Sequence, residues 1–258
     1  MNQKPADYRP AGCEACRRGD GLDFQFTMAF QPIVDIQTGS VFAHEALVRG
    51  TEGQGAGWVL DQVNDENRYR FDQSCRVKAI ELAARVGMTS RLSINFLPNA
   101  VYKAELCIRT TLEAAERFAF DPRQVIFEFI EGEKIYGSKH ILDILKTYQR
   151  LGFLMAIDDF GAGYAGLNLL AEFQPNLVKI DRDVARGLHR DRARLAIVRA
   201  VLQVCRELGI EVIAEGIEEM EEMRALRDLG VRYFQGYLFA KPLLEGMPPL
   251  REEAMGRS

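Results

Sequence analysis

Eight short apolar runs constrain the fold of this chain more than any other feature: MAFQPIVD, SVFAHEALVR, RLSINF, QVIFEFIE, FLMAIDDF, LVKID, EVIAEGIE and YFQGYLF. They are rich in Val, Ile and Phe and bounded by turn residues, as strands are. Residues at helical spacing fill most of the gaps, at Gln62 to Val86, Ala100 to Phe118, Ser138 to Leu151, Arg192 to Leu208 and Glu219 to Leu229. Strand and helix in eight-fold alternation predict an α/β chain closed as a TIM-type (β/α)8 barrel, and 258 residues suit such a barrel as a single unit. One connection breaks the pattern. Only Ile36 to Ser40 separates the first two runs. Parallel neighbours need a crossover of a dozen residues or more, so this pair is expected to be an antiparallel hairpin. The predicted fold is therefore a modified barrel whose antiparallel first strand runs against the rest. Residues 1–22 read as a polar leader, 23–246 as the barrel and 247–258 as a short tail.

Each later run carries a polar residue near its end: Glu45, Asn95, Glu128 with Glu131, Asp158 with Asp159, Lys179 with Asp181, Glu215 and Gln235. Charges are costly inside an apolar strand unless paired or bound to metal. Any one of them is most simply a rim charge or an ion-pair partner. The set asks for more, because in a barrel the strand ends converge on one face. So many carboxylates around one lysine would repel without a counter-charge. Oxygen donors of this kind suit Mg²⁺ or Mn²⁺ better than zinc. The neighbours Asp158 and Asp159 stand where a strand ends, so alternation can relax and both can face the mouth. A carboxylate there can bridge two metals, an arrangement used for phosphate ester cleavage.

Other features exclude functions. The net charge of -4 argues against duplex nucleic acid as a partner. The opening MNQKPADYRP has no apolar signal core, and no apolar run is long enough to span a membrane, so no membrane insertion is expected. Five scattered cysteines suggest a reducing, cytoplasmic setting. Cys13-x-x-Cys16 is half of a zinc site at most. Gly161, Gly163 and Gly166 spell a dinucleotide fingerprint. That reading is rejected: the motif follows the fifth strand of a barrel, and two aspartates precede it. A mobile active-site loop fits better. His44, His140 and His189 are scattered and support no triad, and His44 should face away from the barrel interior by alternation. Trp58 is expected to pack at a helix start.

The motifs FQPIVD, EALVRG, INFLP, FEFIE, DDFGAGYAGL, VKID, AEGIE and QGYLFAKP, in this order, make the chain resemble the EAL-domain family of cyclic di-GMP phosphodiesterases. The resemblance runs from about Phe26 to Pro242 and centres on Glu45-Ala46-Leu47. It implies hydrolysis of cyclic di-GMP to linear pGpG. Carried over by position, Glu45, Asn95, Glu128 and Asp158 would hold one metal. Asp158, Asp159 and Glu215 would hold or orient the second. Lys179 would position the attacking water and Gln235 would support it, with Glu45 and Glu215 in the same catalytic set. Gln31, Leu47, Arg49 and Asp181 would contact substrate, and Glu131 would anchor the loop after Asp159. Against the family's usual DFGTGYSSL, this loop has Ala162, Ala165 and Gly166 at three hydroxyl-bearing positions. A homodimer and a regulatory protein partner are further expectations of the resemblance. The alternative is a weak EAL domain that only binds cyclic di-GMP or a protein.

Overall fold

The computed structural model describes residues 22–98, 101, 104–130, 139–161 and 166–255. It opens with the expected hairpin. Strand β1 (Phe26–Asp35) pairs antiparallel with β2 (Ser40–Gly50), from Phe26 opposite Gly50 to Asp35 opposite Ser40. The Asp35 carboxylate organises the turn by accepting from the backbone N–H of Gln37 at 2.9 Å. Strands β3 (Arg91–Asn95), β4 (Val125–Ile130), β5 (Leu154–Phe160), β6 (Leu177–Ile180), β7 (Glu211–Ala214) and β8 (Tyr233–Phe234) follow β2 in parallel order. β8 then pairs antiparallel with β1, which closes the barrel and leaves β1 opposed to both neighbours. A short β9 (Leu243–Leu244) adds antiparallel to β1 at Ala29 and Phe30.

Outside the barrel lie α1 (Ala56–Leu60), α2 (Arg68–Arg85), α3 (Ala104–Arg117), α4 (Lys139–Arg150), α5 (Gly166–Glu172), α6 (Arg182–Ala185), α7 (Arg192–Glu207) and α8 (Met220–Asp228). Three expectations need correction. The run YFQGYLF is a strand only at Tyr233–Phe234. The chain bends at Gly236, where a Cβ would stand 2.0 Å from the Ile217 carbonyl oxygen, so only glycine lets the two backbones approach. Gly166 starts α5 and is not part of an extended loop. Trp58 is half-exposed, and the buried residue of α1 is Val59, because one turn of helix buries only the side chain facing the core. Glu131 and the Cys13 and Cys16 pair lie outside the described residues.

Strand alternation divides the apolar residues into two layers. Val125, Phe127 and Phe129 of β4 face outward into the main core under the helices. Ile33, Ala43, Ile126, Ala156, Leu177, Ile213 and Tyr233 point inward and form a plug across the barrel. Beneath the plug, Arg232 donates to Asp35 at 2.5 Å, which holds the Asp35 carboxyl down at about 2. A depressed carboxyl contributes stability above its unfolded value near 3.8, and that stability is lost as pH falls toward 2. Asp35→Asn is therefore expected to cost on the order of 1 kcal/mol at neutral pH, discounted for the partly exposed Arg232. Urea unfolding at pH 7 and pH 3 checks this: the gap between wild type and variant must narrow at the lower pH.

Among the described residues, the outer core holds one buried ion pair. Arg76 and Asp72, on successive turns of α2, meet at 2.6 Å with both side chains almost wholly buried. The Arg76 guanidinium lies 5.2 Å from the Phe127 ring centroid and 5.3 Å from that of Phe96, and it donates to the Tyr148 hydroxyl at 3.2 Å. Asp72 also accepts the backbone N–H of Leu97 at 2.9 Å. This ties α2 to the segment that leaves β3 just after Asn95.

Candidate active site

The site is the layer directly above the apolar plug. Two residues along each strand keep the same face, so every plug residue has an inward neighbour one step nearer the mouth. Ala43 leads to Glu45, Ile126 to Glu128, Ala156 to Asp158, Leu177 to Lys179, Ile213 to Glu215 and Tyr233 to Gln235. On the reversed β1 the step runs backward, from Ile33 to Gln31.

Lys179 is the centre of this layer and is 1% exposed. Its Nζ lies 2.6 Å from Glu215 Oε1, 2.8 Å from Glu128 Oε2, 3.0 Å from Asp158 Oδ1 and 3.5 Å from Glu45 Oε2. Glu45 is braced on both oxygens, by Asn95 Nδ2 at 3.0 Å and Gln235 Nε2 at 2.7 Å. Gln31 donates to the Ala240 carbonyl and accepts from Gln235. Ser93, one inward step below Asn95, donates to Glu128. The sequence reading missed Ser93, although the same alternation that found Asn95 reaches it.

Asp158 and Asp159 do not alternate. The β5–β6 register shifts between Ile157 and Phe160, and Asp159 takes a left-handed φ of 53°. The irregularity turns the second carboxylate toward the mouth, and its backbone N–H donates to Asp158 Oδ1 at 3.0 Å. Two groups of carboxylates result, Glu45 with Glu128 and Asp158, and Asp158 with Asp159 and Glu215. Within each group one oxygen per residue lies within 4.8 Å of the others, and Asp158 belongs to both.

One lysine does not balance these charges. Burial, reinforced by Glu45 and Asp158, pushes Glu128 up to about 8 despite Lys179. Burial also raises Glu215 well above the usual carboxylate range, again against Lys179. Asp159 rises to about 6 through burial and the nearby Asp158 and Asp181. Glu45 goes the other way: burial is outweighed by Lys179 and by its hydrogen bonds from Gln235 and Asn95. Lys179 stays firmly protonated, because four carboxylates outweigh its desolvation. Excess negative charge on hard oxygen donors fits a divalent cation such as Mg²⁺, Mn²⁺ or Ca²⁺.

A cleft of about 230 Å³ opens over this layer. Gln31, Glu45, Asp159, Asp181, Glu215 and Gln235 line it. Arg182, Glu218 and Tyr237 line it too and were not anticipated. Leu47 and Arg49 are half-buried further along β2 and are not among the lining residues. Arg49 instead donates to the Val48 carbonyl at 2.7 Å. Asp181 caps α6 by accepting the Asp183 N–H at 2.8 Å. His44 is buried on the outer face of β2 against Ser90, away from the lumen.

The EAL domain family model matches residues 15–242. The chain belongs to the EAL domain family. This EAL domain is 34% identical over 246 residues to the blue light- and temperature-regulated antirepressor BluF of Escherichia coli, covering 95% of this chain and 60% of that one. It is 32% identical over 236 residues to the cyclic di-GMP phosphodiesterase RocR of Pseudomonas aeruginosa, covering 87% and 59%. The chain thus spans about three fifths of the length of these two relatives. Among solved structures it resembles a standalone EAL protein from Vibrio cholerae in its c-di-GMP-bound form, with a TM-score of 0.88 and 52% identity over 91% of this chain and 99% of that one. It also resembles the manganese and c-di-GMP complex of Klebsiella pneumoniae BlrP1, with a TM-score of 0.82 and 36% identity over 86% and 57%. Among the described residues, no helix is long and apolar enough to cross a membrane.

Proposed function

We propose that this EAL domain hydrolyses one phosphodiester bond of cyclic di-GMP to give linear pGpG, using two divalent ions, Mg²⁺ or Mn²⁺. The observation that carries the reading is the pair of carboxylate groups sharing Asp158 beneath one open cleft. Glu45, Glu128 and Asp158, with Asn95, would hold one ion, and Asp158, Asp159 and Glu215 the other. Bound there, the ions would offset the phosphate's charge, acidify a water and stabilise the leaving oxygen.

The chain's own groups do the positioning. Lys179, ringed by these carboxylates, would donate a hydrogen bond to the attacking water, position it and stabilise negative charge on its oxygen. Glu215 contacts Lys179 and lines the cleft, which supports a role for it in holding an ion and orienting the attacking water. Gln235 fixes Glu45 and Gln31 and keeps that side of the layer rigid. Water adds to phosphorus, one P–O bond breaks, and the products are a phosphomonoester and a free sugar hydroxyl.

The test is incubation of the protein with cyclic di-GMP and Mg²⁺ or Mn²⁺, followed by chromatography for pGpG. No product with either metal would favour a receptor that binds without turnover, a reading to which the antirepressor relative lends support. Lys179→Ala is expected to lower kcat by roughly 10²–10³-fold with little change in KM. An effect mainly on KM would contradict the role given to Lys179.

A further inference from the structure

The cleft has five lining carboxylates, Glu45, Asp159, Asp181, Glu215 and Glu218, and among the described residues that line it one cation, Arg182. That arginine is specifically seated. Gly216 holds a left-handed φ of 63°, and a Cβ there would stand 2.5 Å from both Cβ and Cγ of Arg182. The bare backbone after Glu215 is thus the bed on which the Arg182 stem lies. The guanidinium then meets Glu218 at 2.8 Å, with both side chains roughly two fifths exposed. A pair this exposed is worth little, so Arg182 can exchange Glu218 for a ligand at small cost.

We infer that Arg182 recognises a guanine base of the substrate through O6 and N7, which makes it a specificity-determining residue of the cleft. This rests on the function proposed above. A guanidinium fork matches those two acceptors, the commonest arginine contact to guanine. The flanking carboxylates decide between base and phosphate. A phosphate beside Arg182 would also face Asp181 and Glu218 and be repelled by both. Guanine instead carries N1–H and N2–H donors next to O6, which a carboxylate accepts. Adenine presents an N6 donor where guanine has O6, so the same fork rejects it. Tyr237, half-exposed on the same rim, adds a ring face for the base.

The test uses the whole chain with Ca²⁺ and measures calorimetric affinity for cyclic di-GMP and cyclic di-AMP, with thermal melting as a folding control. Wild type is expected to prefer cyclic di-GMP. Arg182→Ala should weaken cyclic di-GMP roughly tenfold, leave cyclic di-AMP unchanged and keep the melting midpoint. Arg182→Lys, which lacks the fork, should recover only part of the loss. Equal losses for both nucleotides would place the guanidinium on phosphate, and no loss would remove it from the site; either overturns the inference. If wild type neither binds nor hydrolyses cyclic di-GMP, the proposed function falls and this inference falls with it. Hydrolysis that persists with an indifferent Arg182 overturns the inference alone.

Discussion

Glu45→Ala is expected to abolish metal-dependent turnover of cyclic di-GMP. Glu45 is 6% exposed, is braced by Asn95 and Gln235, and belongs to the carboxylate group that includes Glu128 and Asp158. Its removal takes away a hard anionic donor that no neighbour replaces, since Asn95 and Gln235 carry no charge. A second readout separates ion binding from chemistry. An ion that binds only the folded chain raises the melting midpoint, by about 2.7 kcal/mol of stability at a hundredfold excess over Kd. Mn²⁺ should raise the midpoint of wild type and raise that of Glu45→Ala much less. Unchanged turnover together with an unchanged Mn²⁺ shift would remove Glu45 from the metal site.

Asp72→Ala carries the largest expected effect on stability, a loss of about 3–5 kcal/mol, because it strands a buried guanidinium without its counter-charge. Arg76 cannot escape to solvent: its side chain is wholly buried against Phe96, Phe127 and Tyr148. The double variant Asp72→Leu with Arg76→Met removes both charges and is expected to recover much of that loss, since an apolar pair of similar size avoids desolvation altogether. Urea unfolding of the three proteins gives the comparison. A double variant no more stable than Asp72→Ala would mean that the ring contacts and the hydrogen bond to Leu97, not the paired charges, hold this part of the core.

Several residues of the candidate site are legible in the sequence alone. Glu45, Glu128, Lys179 and Glu215 are charged residues within or at the end of apolar runs, and each is the inward residue two positions from a plug residue. The reversed first strand was legible from one short connection. Other residues left no such signal. Arg182 follows a strand and reads as an ordinary helix-start arginine; only the bare backbone at Gly216 shows where its stem goes. Arg49, two residues past the motif that names the family, reads as a substrate contact, yet here its guanidinium rests on the Val48 carbonyl. Asp72 and Arg76 look like surface charges on an amphipathic helix, and their burial follows from the aromatic residues that β4, α4 and the segment after β3 bring over them.

The sequence by itself determined which face of each strand a residue occupies and that the first strand must reverse. Both follow from short-range geometry: the pleat fixes a period of two, and chain length limits what a turn can span. Only the tertiary structure decided which side chains meet across strands. That Lys179 reaches four carboxylates, that Asp158 serves two groups, and that Asp159 turns to the mouth depend on barrel closure and one register shift in β5. Distances between strands are set by stagger and packing around the whole barrel, and no local stretch of the chain encodes them.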